Sequence, residues 1–417
     1  MDRNVNRLAI LCGGGPAPGI NSVISSAAIE ASNHRWEVIG LLDGFKHISK
    51  GRLEHVPLTI DAVSRIHNEG GSVIRTSRHN PTGDPKDMER AVDTLAEAGI
   101  THLITIGGDD TAFSALKISK EALSRRGYLL KVAHVPKTID NDLPLPEGMP
   151  TFGFETARSL GATLVSNIME DARTTGRWFL CVTMGRSSGH LALGIGKAAA
   201  ATITIIPEEF DGRVSLDRLS NLIVGSIIKR LSMGRAYGVA VVAEGLMGKI
   251  PPEELEALKT ADRDEHGHIR YGEINFSDIL RDRVKGALKE LGIKITLNDK
   301  EIGYEIRCAP PNGFDVEYTR NLGYGAFEYL RQGGTGAMVT IQNNRLVPIP
   351  LEDIMDPVTG RTRIRLVNIN SIQYKIARRY MIRLEREDFE DPERLEALCG
   401  AANMDKEAFV RRFGETV

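Results

Sequence analysis

Two adjacent carboxylates follow a glycine pair at the end of a short apolar run, in the stretch IGGDDT at 106–111. Glycines in this position let the backbone approach a phosphate closely, because they carry no side chain. Asp109 and Asp110 therefore place negative charge where an anion would be expected to bind. This arrangement raises the question of what the two carboxylates recognise.

A second charged loop, PKTIDND at 136–142, follows another apolar run and carries Lys137, Asp140 and Asp142. Three charges on one short loop are also compatible with a solvated surface. Beside a phosphate-binding turn, however, a carboxylate such as Asp140 can act as a general base for a hydroxyl nucleophile or as a ligand of Mg²⁺. The two loops together predict phosphoryl transfer.

A glycine-rich turn, GGGPAPGIN at 13–21, follows the first apolar run. Its N–H groups, and the positive end of a helix that begins near Pro18, are suited to a phosphate, although a plain strand-to-helix turn would read the same way. Proline at 18 breaks the dinucleotide-binding pattern, and no Gly-Lys-Ser/Thr follows, so the sequence favours neither an oxidoreductase nor a Walker-type loop.

Phosphoryl transfer also needs cations around the transferring oxygens. An isolated arginine is usually a surface residue, but several stand at the ends of apolar runs or at loop tips. With Lys137, these candidate cations are Arg78, Arg177, Arg186 and Arg307.

The elements that must position these residues are short apolar runs, each followed by a glycine-rich or polar loop. Such runs, separated by helix-period segments, predict parallel strands in an α/β fold with helices on both faces, and ligands bind at the carboxyl ends of such strands. The predicted strands are 8–12, 102–106, 131–135, 178–184 and 237–243.

Helical periodicity is clearest at 155–172, where apolar residues repeat every three or four positions. A repeat of four from Ile372 to Leu384 predicts a helix packed on the core. The charged stretch 259–277 shows little periodicity and is interpreted as a surface loop or insertion.

Composition restricts the class of protein. The 417 residues are 41% hydrophobic and 26% charged with a net charge of −2, which is typical of a globular chain of two lobes and unlike a nucleic-acid or membrane-surface binder. We expect no membrane span and no export signal. Four cysteines without metal or redox spacing indicate reduced thiols in a cytoplasmic protein: Cys12, Cys181, Cys308 and Cys399.

Taken together, these motifs resemble the phosphofructokinase family, whose order is matched across 8–345 by GGGPAPGIN, GGDD, PKTIDND, MGR, AEG and GYEIR. The resemblance implies two Rossmann-like lobes with mainly parallel sheets. The donor lobe would comprise 1–150 and about 306–350. The sugar-phosphate lobe would comprise about 151–305 and 351–417, including a C-terminal helical extension.

The resemblance also implies roles for individual residues at the transferring phosphoryl group. Asp140 matches the base that takes the proton from the sugar 1-hydroxyl, with Thr138, Ile139 and Asp142 as neighbours. Asp109 matches the Mg²⁺-associated aspartate. The implied catalytic set is Asp110, Lys137, Thr138, Asp140 and Arg186, and the implied donor contacts are Gly14, Gly15, Arg78, Asp109 and Lys137.

Sugar binding is implied for a further group of residues. Tyr304 and Arg307 match contacts to the distal phosphate of the sugar. Arg177 matches an arginine contributed by a neighbouring subunit, which implies a homodimer or homotetramer. The remaining implied sugar contacts are Met184, Gly185, Arg186 and Glu244.

The residue pair Asp110 and Lys137 resembles the members that use pyrophosphate, since members that use ATP have glycine at both positions. A carboxylate at 110 would repel the α-phosphate of a nucleotide. Like charges about 4 Å apart at an effective dielectric near 20 cost roughly 4 kcal/mol, about a thousandfold in affinity. The alternative is that Asp110 is a second metal ligand and ATP still binds.

Departures from the family pattern bear on regulation and on the sugar. Ser25 and Ile29 stand where regulated members carry arginines. Thr202 stands where those members carry a glutamate that is used for effector binding, so we expect no allosteric site of that type. A further sugar-phosphate arginine is replaced by Lys294 or Lys300, and the last 55 or so residues match the short bacterial enzymes poorly.

The sequence therefore predicts reversible, Mg²⁺-dependent phosphoryl transfer from pyrophosphate to fructose 6-phosphate, as in glycolysis and gluconeogenesis. Its partners would be small molecules, with no nucleic acid and no membrane. The alternatives are sedoheptulose 7-phosphate as acceptor, ATP as donor, or a non-catalytic sugar-phosphate-binding subunit. The last is disfavoured because Asp109 and Asp140 are both present.

Overall fold

The computed structural model describes residues 6–254 and 275–416, which fall into two compact units. The first unit comprises Met1–Ala157 and Tyr304–Arg365, and the second comprises Arg158–Gly303 and Leu366–Val417. Residues 351–365, which the sequence analysis assigned to the second lobe, lie in the first unit. Hydrogen bonds hold this segment there, from Leu351 N to Gly336 O at 2.8 Å and from Arg365 N to Asp142 O at 2.7 Å.

The strands are numbered in chain order: β1 Arg7–Cys12, β2 Glu37–Leu41, β3 His55–Pro57, β4 His102–Gly107, β5 Lys131–Pro136, β6 Trp178–Thr183, β7 Ile203–Ile205, β8 Gly238–Ala243, β9 Leu297–Ile302, β10 Ala337–Met338, β11 Ile341–Gln342, β12 Arg345–Leu346 and β13 Ile349–Pro350.

The helices are numbered likewise: α1 Ile20–Asn33, α2 Ile60–Val63, α3 Pro85–Glu97, α4 Asp109–Arg126, α5 Phe154–Thr175, α6 His190–Ala198, α7 Leu216–Ser232, α8 Phe276–Glu290, α9 Tyr304–Arg307, α10 Gly313–Arg331, α11 Ile372–Arg379, α12 Arg386–Glu390, α13 Pro392–Ala402 and α14 Lys406–Phe413.

The sheet of the first unit has the order β13-β10-β5-β4-β1-β2-β3. Strands β1, β4 and β5 pair in parallel at its centre, and only the outer pairs β2–β3 and β10–β13 are antiparallel. Side chains of α1 and α10 pack on one face, and those of α3 and α4 pack on the other. Coverage of both faces explains why the central strands are apolar runs without alternation.

The sheet of the second unit has the order β7-β8-β6-β9 and is parallel throughout. One face packs against α7, α8, α13 and α14 around the buried ring of Trp178. The predicted strands and the mainly parallel α/β fold are confirmed in both units.

Helix α5 confirms the prediction at 155–172, and Gly176 follows its last turn with a left-handed φ of 67°. Its first turn is fixed by a buried carboxylate, because Asp315 on α10 accepts hydrogen bonds from Gly153 N at 2.8 Å and Thr156 N at 2.7 Å. This carboxylate ties α10 to the start of α5.

The packed helix predicted from Ile372 to Leu384 is wrong in two respects. The helix α11 ends at Arg379, and its apolar stripe is exposed: Ile372 by 66%, Ile376 by 40% and Tyr380 by 79%. The chain leaves the helix because Ile382 N donates to Thr202 O at 2.7 Å, and only Leu384 of the repeat is buried in the core.

Other predictions meet the structure only in part. Of the predicted loop 259–277, residues 259–274 lie outside the described residues, and 276–277 begin α8, capped by Asn275. All four cysteines are free thiols, and Cys12 and Cys181 are buried. Among the described residues, no helix combines the length and apolar character required to cross a bilayer.

Candidate active site

The glycine turn after β1 is fixed by the segment 76–77. Gly14 N donates to Ser77 O at 2.9 Å, and Thr76 Oγ1 donates to Gly14 O at 2.7 Å. Gly14 has a φ of 82°, a left-handed conformation that glycine adopts without strain. A Cβ at position 14 would lie 3.3 Å from Lys137 Nζ, so the absence of a side chain leaves the ammonium facing the turn.

Lys137 joins the glycine turn to the loop after β5. Its side chain is 4% exposed, Nζ donates to Gly15 O at 2.5 Å, and its N–H donates to Gly107 O at 2.9 Å. Burial lowers the pKa of Lys137, and the negative charges of Asp140 and Asp109 oppose that shift. An ammonium has three N–H donors, so one bond to Gly15 leaves Lys137 able to bind an anion at the turn.

The loop that carries Asp140 is held by its own backbone and by Thr151. Asp140 N donates to Thr138 Oγ1 at 3.0 Å, and Thr151 Oγ1 donates to Thr138 O at 2.7 Å. Ile139 is buried, which anchors the middle of the loop. The Asp140 carboxylate is half-buried and close enough to Lys137 for their charges to interact. The structure thus brings the predicted base next to the predicted donor cation.

The two adjacent carboxylates Asp109 and Asp110 form the first turn of α4. Negative charge at a helix N-terminus is stabilised by the helix dipole, so these side chains favour the helix that carries them. Their backbone carbonyls are also bonded, Asp109 O by Thr362 Oγ1 at 3.1 Å and Asp110 O by Ser114 Oγ at 2.8 Å. The backbone that carries both carboxylates is therefore fixed at the carboxyl end of β4.

A metal ion at this position would rely on few protein ligands. Across 6–254 and 275–416, no group of three or more His, Cys, Asp or Glu side chains is arranged to hold a metal. Mg²⁺ usually takes one or two carboxylates and completes its octahedron with water and phosphate oxygens. Asp109 alone, at the end of β4, fits that kind of site.

Tyr304 and Arg307 belong to the short helix α9, which follows β9 in the chain and is part of the first unit. The Arg307 guanidinium lies 4.4 Å from the centroid of the Tyr304 ring, a cation–π contact. A Cβ on Gly15 would lie 3.7 Å from Arg307 Nη1. Arg307 therefore adds positive charge beside the glycine turn.

In the second unit, the loop after β6 packs against the turn after β8. A Cβ at Gly245 would lie 2.9 Å from Gly185 O and 3.1 Å from Arg186 O. Only glycine at 245 allows this approach, which brings Glu244 next to the loop that carries Met184, Gly185 and Arg186.

A half-buried carboxylate supports the same loop. Glu208 accepts hydrogen bonds from Gly189 N at 2.9 Å and from Val367 N at 3.0 Å. Burial raises the pKa of Glu208, and these N–H donors oppose the shift. Glu208 therefore links the Met184–Gly189 loop to the C-terminal segment.

Arg177 is the predicted site residue that the structure does not bring to the others in its unit. It precedes β6, where its N–H donates to Ala172 O, whereas Met184 follows the far end of the same strand. A strand of this length spans about 20 Å. Arg177 cannot reach the Met184–Arg186 loop of its own chain, and its contribution to a neighbouring copy stays a prediction.

Sequence reasoning missed three residues that fix the site loops: Thr76, Glu208 and Arg365. Thr76 stands two residues before the predicted cation Arg78, so its position gave a weak signal. Arg365 gave none, because it acts on Asn141 across 224 residues of sequence. Such contacts leave no mark in local periodicity.

Comparison with known proteins gives a consistent result. The family model described as phosphofructokinase matches residues 7–330. A pyrophosphate–fructose 6-phosphate 1-phosphotransferase from Thermotoga maritima is 52% identical over 416 residues, 98% of each chain. The enzyme of the same name from Naegleria fowleri is 47% identical over 99% of this chain and 96% of its own.

Solved structures give the same fold. A pyrophosphate-dependent phosphofructokinase from Marinobacter aquaeolei superimposes with a TM-score of 0.69 at 19% identity, over 91% of this chain and 92% of that one. A phosphofructokinase from Saccharomyces cerevisiae gives 0.66 at 19% identity, over 99% of this chain and 50% of that one. At this identity the likeness concerns the fold.

Proposed function

This chain belongs to the phosphofructokinase family, and we propose that it transfers a phosphoryl group from pyrophosphate to the 1-hydroxyl of fructose 6-phosphate. One observation carries the choice of donor. Lys137 Nζ is buried against the glycine turn, while Asp110 stands in the first turn of α4 at the adjacent strand end. A donor with two phosphates and no nucleotide suits this combination of charges.

The reaction forms a bond between O1 of the sugar and the transferring phosphorus and breaks the anhydride bond of pyrophosphate, releasing phosphate. Asp140 takes the proton of the attacking hydroxyl. The hydrogen bonds of Thr138 and Thr151 support this role, because they fix the backbone of the loop that carries Asp140. Lys137 and Arg78 stabilise the charge that develops on the transferring oxygens. Because the donor is a simple phosphate anhydride, we expect transfer in both directions, with Asp140 returning the proton in reverse.

Asp109 would hold Mg²⁺, which when bound neutralises phosphate charge and orients the donor. Gly14 and Gly15 would contact the donor phosphates through their backbone. The first unit, by this proposal, carries the donor and the base.

We assign the sugar to Met184, Gly185, Arg186 and Glu244, and its distal phosphate to Tyr304 and Arg307. Arg177 would come from a second copy, so the active form is a homodimer or homotetramer. The free thiols support a reducing compartment and hence the cytoplasm.

We propose no regulation by an effector at the positions where regulated members bind one. Ser25 and Thr202 are both buried, and Thr202 Oγ1 accepts a hydrogen bond from Val239 N at 3.1 Å. Both residues act in packing, which supports a non-allosteric enzyme.

A donor panel tests the function directly. Purified protein is given fructose 6-phosphate, Mg²⁺ and either pyrophosphate, ATP or tripolyphosphate, and the bisphosphate product is measured. We expect turnover with pyrophosphate and less than about a thousandth of that efficiency with ATP. Comparable turnover with ATP would overturn the donor assignment. A parallel series with sedoheptulose 7-phosphate tests the acceptor.

A further inference from the structure

Arg365 makes a fan of hydrogen bonds to the loop that follows Asp140. Its Nε and Nη2 donate to Asn141 O at 3.1 and 3.0 Å, and Nη1 donates to Met149 O at 2.8 Å and Leu145 O at 3.4 Å. Nη2 also contacts Asn141 Oδ1. One guanidinium thus serves three carbonyl groups of a single loop.

The backbone of Arg365 adds a further bond to the same loop, because its N–H donates to Asp142 O at 2.7 Å. Asn141 and Asp142 are the two residues directly after Asp140. Asn141 has a left-handed φ of 57°, and its carbonyl accepts the two bonds from the guanidinium. This conformation is uncommon for a residue with a side chain and is adopted here at the position next to the proposed base.

The loop is held by individual contacts and not by regular secondary structure. Residues 138–151 lie between β5 and α5 without a helix or strand, and the flanking Lys137 and Phe152 form a single β-bridge. Thr151 N donates to Asn141 Oδ1 at 2.9 Å, which holds the side chain of Asn141 but not its carbonyl. Bonds from a charged donor are roughly twice as strong as neutral ones, so Arg365 is the strongest single restraint on the Asn141 carbonyl.

We propose that Arg365 is a positioning residue for proton transfer: by holding the backbone at 141–142, it keeps the Asp140 carboxylate in line with the acceptor hydroxyl. The inference rests on the proposed role of Asp140. Among the described residues, the hydrogen-bond partners of Arg365 include none of those assigned to the donor phosphates, so its loss should act on turnover and not on pyrophosphate binding. Displacement of a catalytic group by about 1 Å can lower a rate on the order of 100-fold.

The test compares Arg365→Met, which keeps the length of the side chain without its donors, with Arg365→Lys and Arg365→Ala. We expect kcat to fall about 10- to 100-fold in Arg365→Met, while KM for pyrophosphate changes less than about twofold. Arg365→Lys should recover only part of kcat, because an ammonium cannot bond Asn141 O and Met149 O through one rigid fork.

Chemical rescue separates positioning from folding. Millimolar guanidinium added to Arg365→Ala should raise kcat in a saturable way, whereas ammonium at the same ionic strength should not. The matched control is Arg363→Met, two residues earlier, whose guanidinium contacts the Asp353 carbonyl outside this loop. Its kcat should stay within about twofold of the parent protein.

The outcomes separate this inference from the function on which it rests. Full turnover in Asp140→Asn would refute the role of the base itself, whatever Arg365 does. An inactive Asp140→Asn together with unchanged kcat in Arg365→Met would refute the positioning role alone. So would an Arg365→Ala protein that binds pyrophosphate normally yet has low kcat that guanidinium does not raise.

Discussion

At the scale of single residues, the charges next to the glycine turn are the basis for the proposed donor. Lys137 is hydrogen-bonded to Gly15 O and almost fully buried, so a mobile side chain at the surface could not supply the same positive charge at this position. Asp110 is held by a helix that its own carboxylate stabilises. The place of both residues at the ends of strands could be predicted from sequence, because each follows a short apolar run.

Exchanging these two charges for glycine should change the donor. In the double variant Asp110→Gly with Lys137→Gly we expect kcat/KM for ATP to rise by up to about a thousandfold, because repulsion of the α-phosphate is removed. Efficiency with pyrophosphate should fall. Steady-state kinetics with each donor measure both changes. Lys131→Met, at the other end of β5, is the control and should affect neither; a double variant that still fails to bind ATP would contradict the charge argument.

His134, within β5, makes stability depend on pH. Burial lowers its pKa to about 3, and Nδ1 lies 2.9 Å from Thr105 Oγ1. In the unfolded chain the pKa of His134 is near 6.5, so the unfolded chain binds the proton more tightly than the folded protein does. Stability is then full above pH 6.5 and is lost as pH falls toward 3, by roughly 1.4 kcal/mol per pH unit.

Urea denaturation between pH 7 and pH 4 measures this slope. In His134→Asn, whose amide can replace the Nδ1 contact, we expect a shallower loss of stability with falling pH. The exposed His55→Asn is the control and should leave the slope unchanged. Equal slopes in all three proteins would show that His134 does not titrate on unfolding.

At the scale of elements, strands and loops were predictable because their signal is local. Central parallel strands are apolar throughout, and glycine or charge marks the ends where β1, β4 and β5 stop. The tail was mispredicted for the same reason, since a repeat of four from Ile372 to Leu384 cannot reveal that Ile382 bonds to Thr202. Supports such as Glu208 and Arg365 depend on distant segments and escaped prediction.

The close packing of two turns in the second unit offers a test at this scale. In Gly245→Ala the new methyl would press on Gly185 O and Arg186 O, at 2.9 and 3.1 Å. Overpacking typically costs about 1–3 kcal/mol, so we expect KM for the sugar phosphate to rise about tenfold or more as the loop shifts. Initial-rate kinetics with varied sugar phosphate give the result.

Gly286→Ala is the matched control, because it lies in α8 and, among the described residues, no neighbouring atom lies within 4 Å of the added methyl. It should leave KM unchanged and stabilise the protein by about 0.5–1 kcal/mol, since alanine is the better helix former. An unchanged KM in Gly245→Ala would mean that the Met184–Arg186 loop does not contact the sugar.

At the scale of the whole molecule, the predicted role of Arg177 requires a second copy of the chain. Arg177 lies at the opposite end of β6 from Met184. Family resemblance predicts a homodimer or homotetramer but does not choose between them. Nor could the sequence place the boundary between the units, since residues 351–365 join the first unit through long-range bonds.

Mixed oligomers test the shared site. Asp140→Asn and Arg177→Ala should each be inactive alone, and unfolding and refolding them together should restore activity. If the protein is a dimer and the copies pair at random, half of the dimers contain one copy of each variant. Each such dimer has one intact site of two, so the mixture should show about a quarter of the parent activity. The control is Arg173→Ala, an exposed residue in the last turn of α5, and it should be active alone. No recovery on mixing would place Arg177 outside the site of a neighbouring copy.

The paired carboxylates that open α4 have a last consequence. They stabilise the N-terminus of their helix without a substrate, and they place negative charge at the strand end where the donor would bind. Pyrophosphate should therefore enter as a metal chelate, and EDTA should stop turnover while leaving the thermal midpoint of the protein within about 1 °C of its original value. Without divalent ions, the protein would remain folded and would have no enzymatic activity.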